Sequence, residues 1–164
     1  AVGPSFLGPE AGAFQLVAVS DAEATTAAGS AVDLKVLTAD IGVGEGALIM
    51  GAWSKQTAVA NSVQLGLKLN ATQVIANTNV ATAGAQTDFG FFQFWVWQQT
   101  TANYLYGGYL AGTGSFRGTI TSPTGFTTAA PNAAITSITI TGNSGAGTVT
   151  MGIRDVVLYR ILTS

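Results

Sequence analysis

The sequence predicts an all-β fold, an antiparallel β-sandwich or jelly roll of about eight to ten strands, and three features lead to that expectation. Hydrophobic residues alternate with polar ones at a period of two in segment after segment, the pattern of a half-buried strand. No segment sustains the period of an amphipathic helix. Short clusters of Gly, Asn, Thr and Pro separate the alternating segments, and these are the residues that turns select.

Phe14–Ser20 (FQLVAVS) reads as a first strand, and Asp21–Ala28 is the one helical candidate, with a loop as the alternative. Near Ala31–Ala39, Val32, Leu34 and Val36 alternate with Asp33, Lys35 and Leu37. Ala47–Lys55 (ALIMGAWSK) is apolar on both faces, as an inner strand is. The cleanest alternation follows: Val63, Leu65, Leu67 and Leu69 against Ser62, Gln64, Gly66 and Lys68. Phe89–Thr100 puts Phe91, Trp95 and Trp97 on one face and Phe92, Phe94 and Val96 on the other. Two apolar faces on one strand call for a core on one side and a loop, a second sheet or a neighbouring subunit on the other. Tyr104–Ala111 and Phe116–Thr121 are the next strands, with Gly107, Gly108, Gly112 and Gly114 as bends or bulges. Thr121–Asn132 reads as a long surface loop. In Ile135–Thr141, Thr136, Ile138 and Ile140 share a face. The Gly142–Gly147 turn, read as a hairpin, leads into Thr148–Leu162, where Met151, Ile153, Val157, Tyr159 and Ile161 have one parity and Arg154-Asp155 marks a bulge or a break. One sandwich domain over residues 1–164 is expected, with 1–13 as an extended N-terminal arm.

Only 9% of the residues are charged, against roughly 25% in an ordinary soluble domain. The hydrophobic fraction is 48% and mean hydropathy is +0.40. Yet Gly, Asn, Gln, Thr or Ser breaks every apolar run before the ~20 residues of a membrane helix, so no membrane insertion is expected. A net charge of −2 leaves little repulsion between copies, which suits a protein packed beside neighbours. Six Lys and Arg residues in a net-acidic chain form no basic patch, which argues against nucleic acid as a partner. The opening AVGPSFLGPEAGAF lacks the basic and apolar regions of a secretion signal.

With neither Cys nor His in the chain, a disulfide framework, the common zinc, iron–sulfur and haem ligand sets and every His-containing triad are excluded. The Gly42–Gly46 cluster precedes a strand and has Ala47 where a dinucleotide fingerprint needs Gly, so it reads as a turn. Ser144 sits among glycines, but Ala146 stands where a nucleophile elbow needs Gly. The carboxylates are Glu10, Asp21, Glu23, Asp33, Asp40, Glu45, Asp88 and Asp155. Two facing carboxylates suffice for glycoside hydrolysis, so a pair drawn from Asp33, Asp40 and Glu45 is weighed, and solvated or turn carboxylates are the favoured reading. No clustered Asp-x-Asp pattern offers calcium ligands. Asn70-Ala71-Thr72 has the form of a glycosylation sequon. No catalytic residue, cofactor or metal is expected. The candidate interface or ligand aromatics are Trp95, Trp97, Tyr104, Tyr106 and Tyr109, which either stack on sugar rings or pack in a core or a subunit interface.

The closing segment, Asn132–Leu162, resembles the end of a family of bacteriophage structural proteins. These share a strand of the form A-I-T-S-I-T-I, a Gly/Ser/Asn turn, and a Gly-led strand ending L-Y-G-I. Ala134, Ile135, Thr136, Ser137, Ile138, Thr139 and Ile140 match the first strand, Gly152 the leading Gly, and Leu158-Tyr159 the terminal pair. Arg160 replaces the family's Gly, and Gly147–Arg154 departs from its spacing. The resemblance implies a jelly-roll virion protein at the particle surface, a capsid decoration (cement) protein or a fibre module. Such a protein is expected to form a homo-oligomer, a trimer, and to contact other virion proteins such as the major capsid protein. A receptor- or glycan-binding module using surface Trp and Tyr is the alternative.

Overall fold

Long runs of β-branched, aromatic and leucine residues with period-two polarity pair into sheets because only a pleated surface sends alternate side chains to opposite sides. The computed structural model describes residues 14–80, 84–85, 87–100, 104–112, 117–121 (backbone only), 133–145 and 147–162. Eleven strands occur among them: β1 (Phe14–Ser20), β2 (Ala24–Thr26), β3 (Val32–Ile41), β4 (Gly46–Lys55), β5 (Gln64–Leu69), β6 (Thr72–Asn79), β7 (Asp88–Gln98), β8 (Tyr104–Gly112), β9 (Arg117–Thr121), β10 (Ile135–Asn143) and β11 (Met151–Ile161). The N-terminal arm, Gly114 and most of the Thr121–Asn132 loop lie outside the described residues.

The pairing defines an antiparallel jelly roll. β1 pairs with β11, β3 with β10, β4 with β7 and β5 with β6, so the chain is doubled back on itself as one long hairpin. Rolling that hairpin sets β11 beside β4 and β10 beside β5. The larger sheet then runs β1-β11-β4-β7-β8-β9, with the short β2 also on β11, and the smaller runs β3-β10-β5-β6. Eight strands make the roll. β2 and the β8–β9 hairpin are additions to the larger sheet.

The inward faces meet in one core. Val63, Leu65, Leu67 and Leu69 are fully buried, as their alternation requires, and face the larger sheet's Ile49, Trp53, Phe92 and Phe94. The Trp53 indole N–H donates to the Ala111 carbonyl at 3.0 Å, so its polar edge is satisfied inside the sandwich.

Several sequence expectations are corrected. Asp21–Ala28 forms no helix; Ala24–Thr26 pairs with Met151–Ile153 instead. In β3 the register slips between Asp33 and Lys35, so Leu37 enters the core and Val36 stands 62% exposed. A second slip, between Ile135 and Ser137, leaves Thr136 outside while Ile135, Ile138 and Ile140 are buried. Arg154-Asp155 is a bulge, and Asp155 has φ 52°. Beyond it Val156 and Leu158 point inward, so Val157, Tyr159 and Ile161 do not share the core side with Met151 and Ile153. A one-residue slip reverses every side chain after it. Gly142–Gly147 is no hairpin turn: β10 and β11 belong to opposite sheets. The connection crosses the sandwich edge, held by the Ser144 backbone N–H and hydroxyl, which donate to the Ala28 carbonyl at 2.9 and 3.0 Å. Gly107 and Gly108 lie in unbroken register with β7, so neither is a bulge. They are small because rings occupy the space: a Cβ would meet Trp95 at 2.4 Å from Gly107 and Phe94 at 2.6 Å from Gly108.

Candidate functional site: the outer face of the larger sheet

Since Phe92, Phe94 and Val96 point into the core, Phe89, Phe91, Trp95 and Trp97 point out. Register carries the same face across the sheet. Trp95 lies opposite Leu48 of β4, which lies opposite Tyr159 of β11, which lies opposite Leu16 of β1. One row on, Tyr109, Gln93, Met50, Val157 and Val19 are aligned. Phe14 and Ile161 pair at the end of β1, and the Phe14 ring meets Tyr159 edge-on at 6.3 Å between centroids. Both outward tryptophans lie across a neighbouring strand's glycine: a Cβ at Gly107 would clash with Trp95, and one at Gly46 would sit 2.7 Å from Trp97.

Exposure follows. Phe91 is 68% exposed, Phe89 62% and Phe14 60%. The ten large hydrophobic side chains exposed among the described residues include seven on this face: Phe14, Leu16, Val19, Phe89, Phe91, Trp95 and Tyr109. Gln93 and Ser54 interrupt the face, and Arg154 and Asp155 stand on it at the β11 bulge. At the β11 bulge, opposite Gly51, the face is notched. A cavity of 340 Å³ opens there between Met50, Phe91 and Tyr109, with Gln93 and Asp155 at its rim. A larger and more enclosed cavity of 500 Å³ continues past Phe89 to Arg154, Glu23 and Gln56.

The sequence-derived aromatics separate by parity. Trp95 and Tyr109 are exposed on this face and Trp97 is half-buried on it. Tyr104 and Tyr106 have the opposite parity on β8 and are buried in the chain's own core, the core-packing reading weighed for these aromatics, so they line neither an interface nor a ligand site. Sequence reasoning missed the contributions of β1, β4 and β11 to the face. The parity of Leu16, Leu48 and Met50 was readable, but their alignment with Trp95 and Gln93 depends on long-range pairing.

The weighed carboxylates do not form a site. Lys68 holds Asp33 at 2.5 Å on the other sheet. Glu45 accepts from Arg160 through both oxygens, at 2.6 Å (Nη2) and 2.9 Å (Nε), and from the Gly42 N–H at 2.7 Å. The Arg160 hydrogen bond is the main cause that lowers the Glu45 pKa, against a burial effect that raises it. Asp40 is exposed. Gly44 has φ 84°, so Gly42–Gly46 is the turn expected. Lys55 is buried, and its ammonium donates to the Gly84 carbonyl at 2.5 Å; burial lowers its pKa, and the charge of Asp88 opposes that. The Asn70 side chain belongs to the fold: its Oδ1 accepts from the Thr136 N–H at 2.9 Å, the Thr136 hydroxyl at 3.2 Å and the Ser137 N–H at 3.2 Å. Among the described residues no three Asp, Glu, His or Cys side chains gather as a metal site, and no helix is long and apolar enough to cross a membrane.

No protein-family model matches the chain, and no curated protein matches it. Among solved structures it is similar to the infectious bursal disease virus VP2 subviral particle, at 12% identity and a TM-score of 0.44 over 99% of this chain and 36% of that one. The infectious bursal disease virus Gt strain structure is 14% identical with a TM-score of 0.37, over 99% of this chain and 37% of that one. A protein of unknown function from Shewanella oneidensis MR-1 is 12% identical with a TM-score of 0.31, over 100% of this chain and 96% of that one. The chain thus spans little more than a third of the viral chains. At such identity and overlap the likeness assigns no function, and the jelly-roll order rests on strand pairing.

Proposed function

We propose that this chain is a non-enzymatic structural subunit of a virus particle, a capsid decoration protein or fibre module at the virion surface, and that it works by associating with copies of itself. One sandwich domain over residues 1–164 is the unit, a trimer the assembly, and the major capsid protein the other partner. The observation that carries this reading is the outer face of the larger sheet, a five-strand-wide apolar surface in a chain with few charges. The closing-segment resemblance points the same way. The weighed carboxylates Asp33 and Glu45 serve ion pairs rather than a shared cleft. Light scattering on the purified protein should give the mass of three copies, and particles should carry the chain in a fixed ratio to the major capsid protein. A monomeric mass at micromolar concentration overturns self-association.

A receptor- or glycan-binding role is the second reading, favoured by the cavity beside Phe91 and Tyr109 with Gln93 and Asp155 at its rim. Saturable quenching of tryptophan fluorescence by simple sugars, lost in Tyr109→Ala, supports that reading. A flat titration removes it.

A further inference from the structure

We propose that the outer face of the larger sheet is buried against the same face of the other two copies of this chain around a three-fold axis. The proposal deepens the self-association above and rests on it, since it names the surface through which copies meet.

Area, chemistry and the lack of a rival surface among the described residues support it. Strands about 4.8 Å apart and side-chain rows about 6.7 Å apart give β1, β11, β4, β7 and β8 a combined outer footprint of roughly 700 Å². A stable protein–protein interface buries about 800 Å² per partner, so this face alone is close to the size of one.

The chemistry selects a partner that is apolar rather than charged. No charged side chain lies in the rows running from Leu16 to Trp95 and from Val19 to Tyr109. The charged side chains, Arg154 and Asp155, stand at the β11 bulge, Arg154 level with Ala52 and Phe91, and Glu23 lies near them. An apolar centre with a polar margin is how protein interfaces are built. A basic or acidic partner would find nothing to pair with at the centre.

Among the described residues, another copy offers a matching surface through its own equivalent face. The outer face of the smaller sheet is occupied by hydrogen bonds among its own side chains, including Gln64 with Asn79, Lys68 with Asp33 and Gln73 with Thr141. Burying it would strip water from polar groups already satisfied and gain little. Around the three-fold axis the apolar faces remove one another's aromatic rows from water. The notch opposite Gly51 is then a socket for a protruding ring of the neighbour.

The test compares wild type with Phe91→Asp and Trp95→Asp, and with Thr38→Asp as a control on the smaller sheet, by sedimentation across a dilution series. Phe91, Trp95 and Thr38 are all exposed, so each variant is expected to keep the folded circular dichroism spectrum. Wild type should associate, the two face variants should dissociate at concentrations at least ~100-fold higher, and the control should stay within about threefold of wild type. A second measurement holds even where an Asp variant does not fold. The chain has no cysteine of its own, so a thiol reagent reports on Phe91→Cys alone. Its labelling should slow as protein concentration rises. Wild type that associates while both Asp variants do so equally well, or a labelling rate independent of concentration in an associating sample, overturns the face and leaves self-association standing. A wild type that never associates overturns both.

Discussion

On the outer side of the smaller sheet, polar side chains answer one another. Gln73 Nε2 donates to the Leu67 and Ile75 carbonyls at 3.2 and 2.6 Å and to the Thr141 hydroxyl at 3.1 Å, and that hydroxyl donates to Asn77 at 2.7 Å. Gly66 makes the arrangement fit, because a Cβ there would come within 2.3 Å of Asn77 Oδ1. On the outer side of the larger sheet, aromatic and aliphatic rows stand exposed with almost no polar partner. Both sheets cover the same core, yet one face is finished within the chain and the other is not. Side chains on the finished face therefore contribute to folding, and those on the unfinished face are the ones the proposed association would use.

The largest expected effect lies beneath both faces. Ile138 is fully buried between the sheets, so Ile138→Ala should cost on the order of 2–5 kcal/mol in denaturant unfolding and leave the aggregation state of the folded chain unchanged. A loss under ~1 kcal/mol would mean that β10 does not close the roll. Gly66→Ala should cost about 1–3 kcal/mol by displacing Gln73 and Asn77, again without altering association. If it changed association instead, the finished face would be an interface too.

Glu45→Gln comes next, at about 1–2 kcal/mol, through loss of charge-assisted bonds from Arg160. The pH dependence follows from the direction of the shift. Because the folded-state pKa of Glu45 lies below the ordinary 4.5, the pair's stabilisation is present above about pH 4.5 and is lost as pH falls through the folded value. Acid titration of stability should therefore be shallower in Glu45→Gln, and equal slopes would remove the pair's role. Tyr159→Phe should be the mildest change, under ~0.5 kcal/mol in thermal unfolding, since the Tyr159 ring is half-buried on the outer face and its edge-on contact with Phe14 survives. A larger loss would show that Tyr159 belongs to the folding ledger of the chain and not to the unfinished face.

The strands themselves were legible, because alternation is local: β1 and the Leu65–Leu69 stretch were read almost residue for residue, and both faces of β7 came out as written. Side assignments failed wherever the register slips. Val36, Thr136 and Tyr159 each stand beyond or beside a one-residue irregularity that alternation alone does not reveal. Tyr104 and Tyr106 were grouped with Tyr109 because aromatic content was weighed without β8 parity. The breadth of the apolar face was hidden for a further reason: Leu16, Leu48, Tyr159 and Trp95 are neighbours only through pairings between distant parts of the chain. Arg160 shows how a departure from a motif can carry information. Where the phage family has Gly, this chain places the cation that ties β11 to the β3–β4 turn at Glu45.

The placement of β11 also dictates a timetable. It is the last described strand along the chain, yet it sits between β1 and β4 in the larger sheet, and its register joins Phe14 to Ile161. As the chain leaves the ribosome, β1 has no partner and β4 has an open edge until β11 emerges. Contacts so distant in sequence form late and slowly. The rows that end on Leu16 and begin on Trp95 are therefore two separate fragments in any nascent or truncated chain that lacks β11. Under the proposed association, a surface that exists only once β11 has been threaded into the middle of the sheet admits chains that carry β11 and excludes those that lack it.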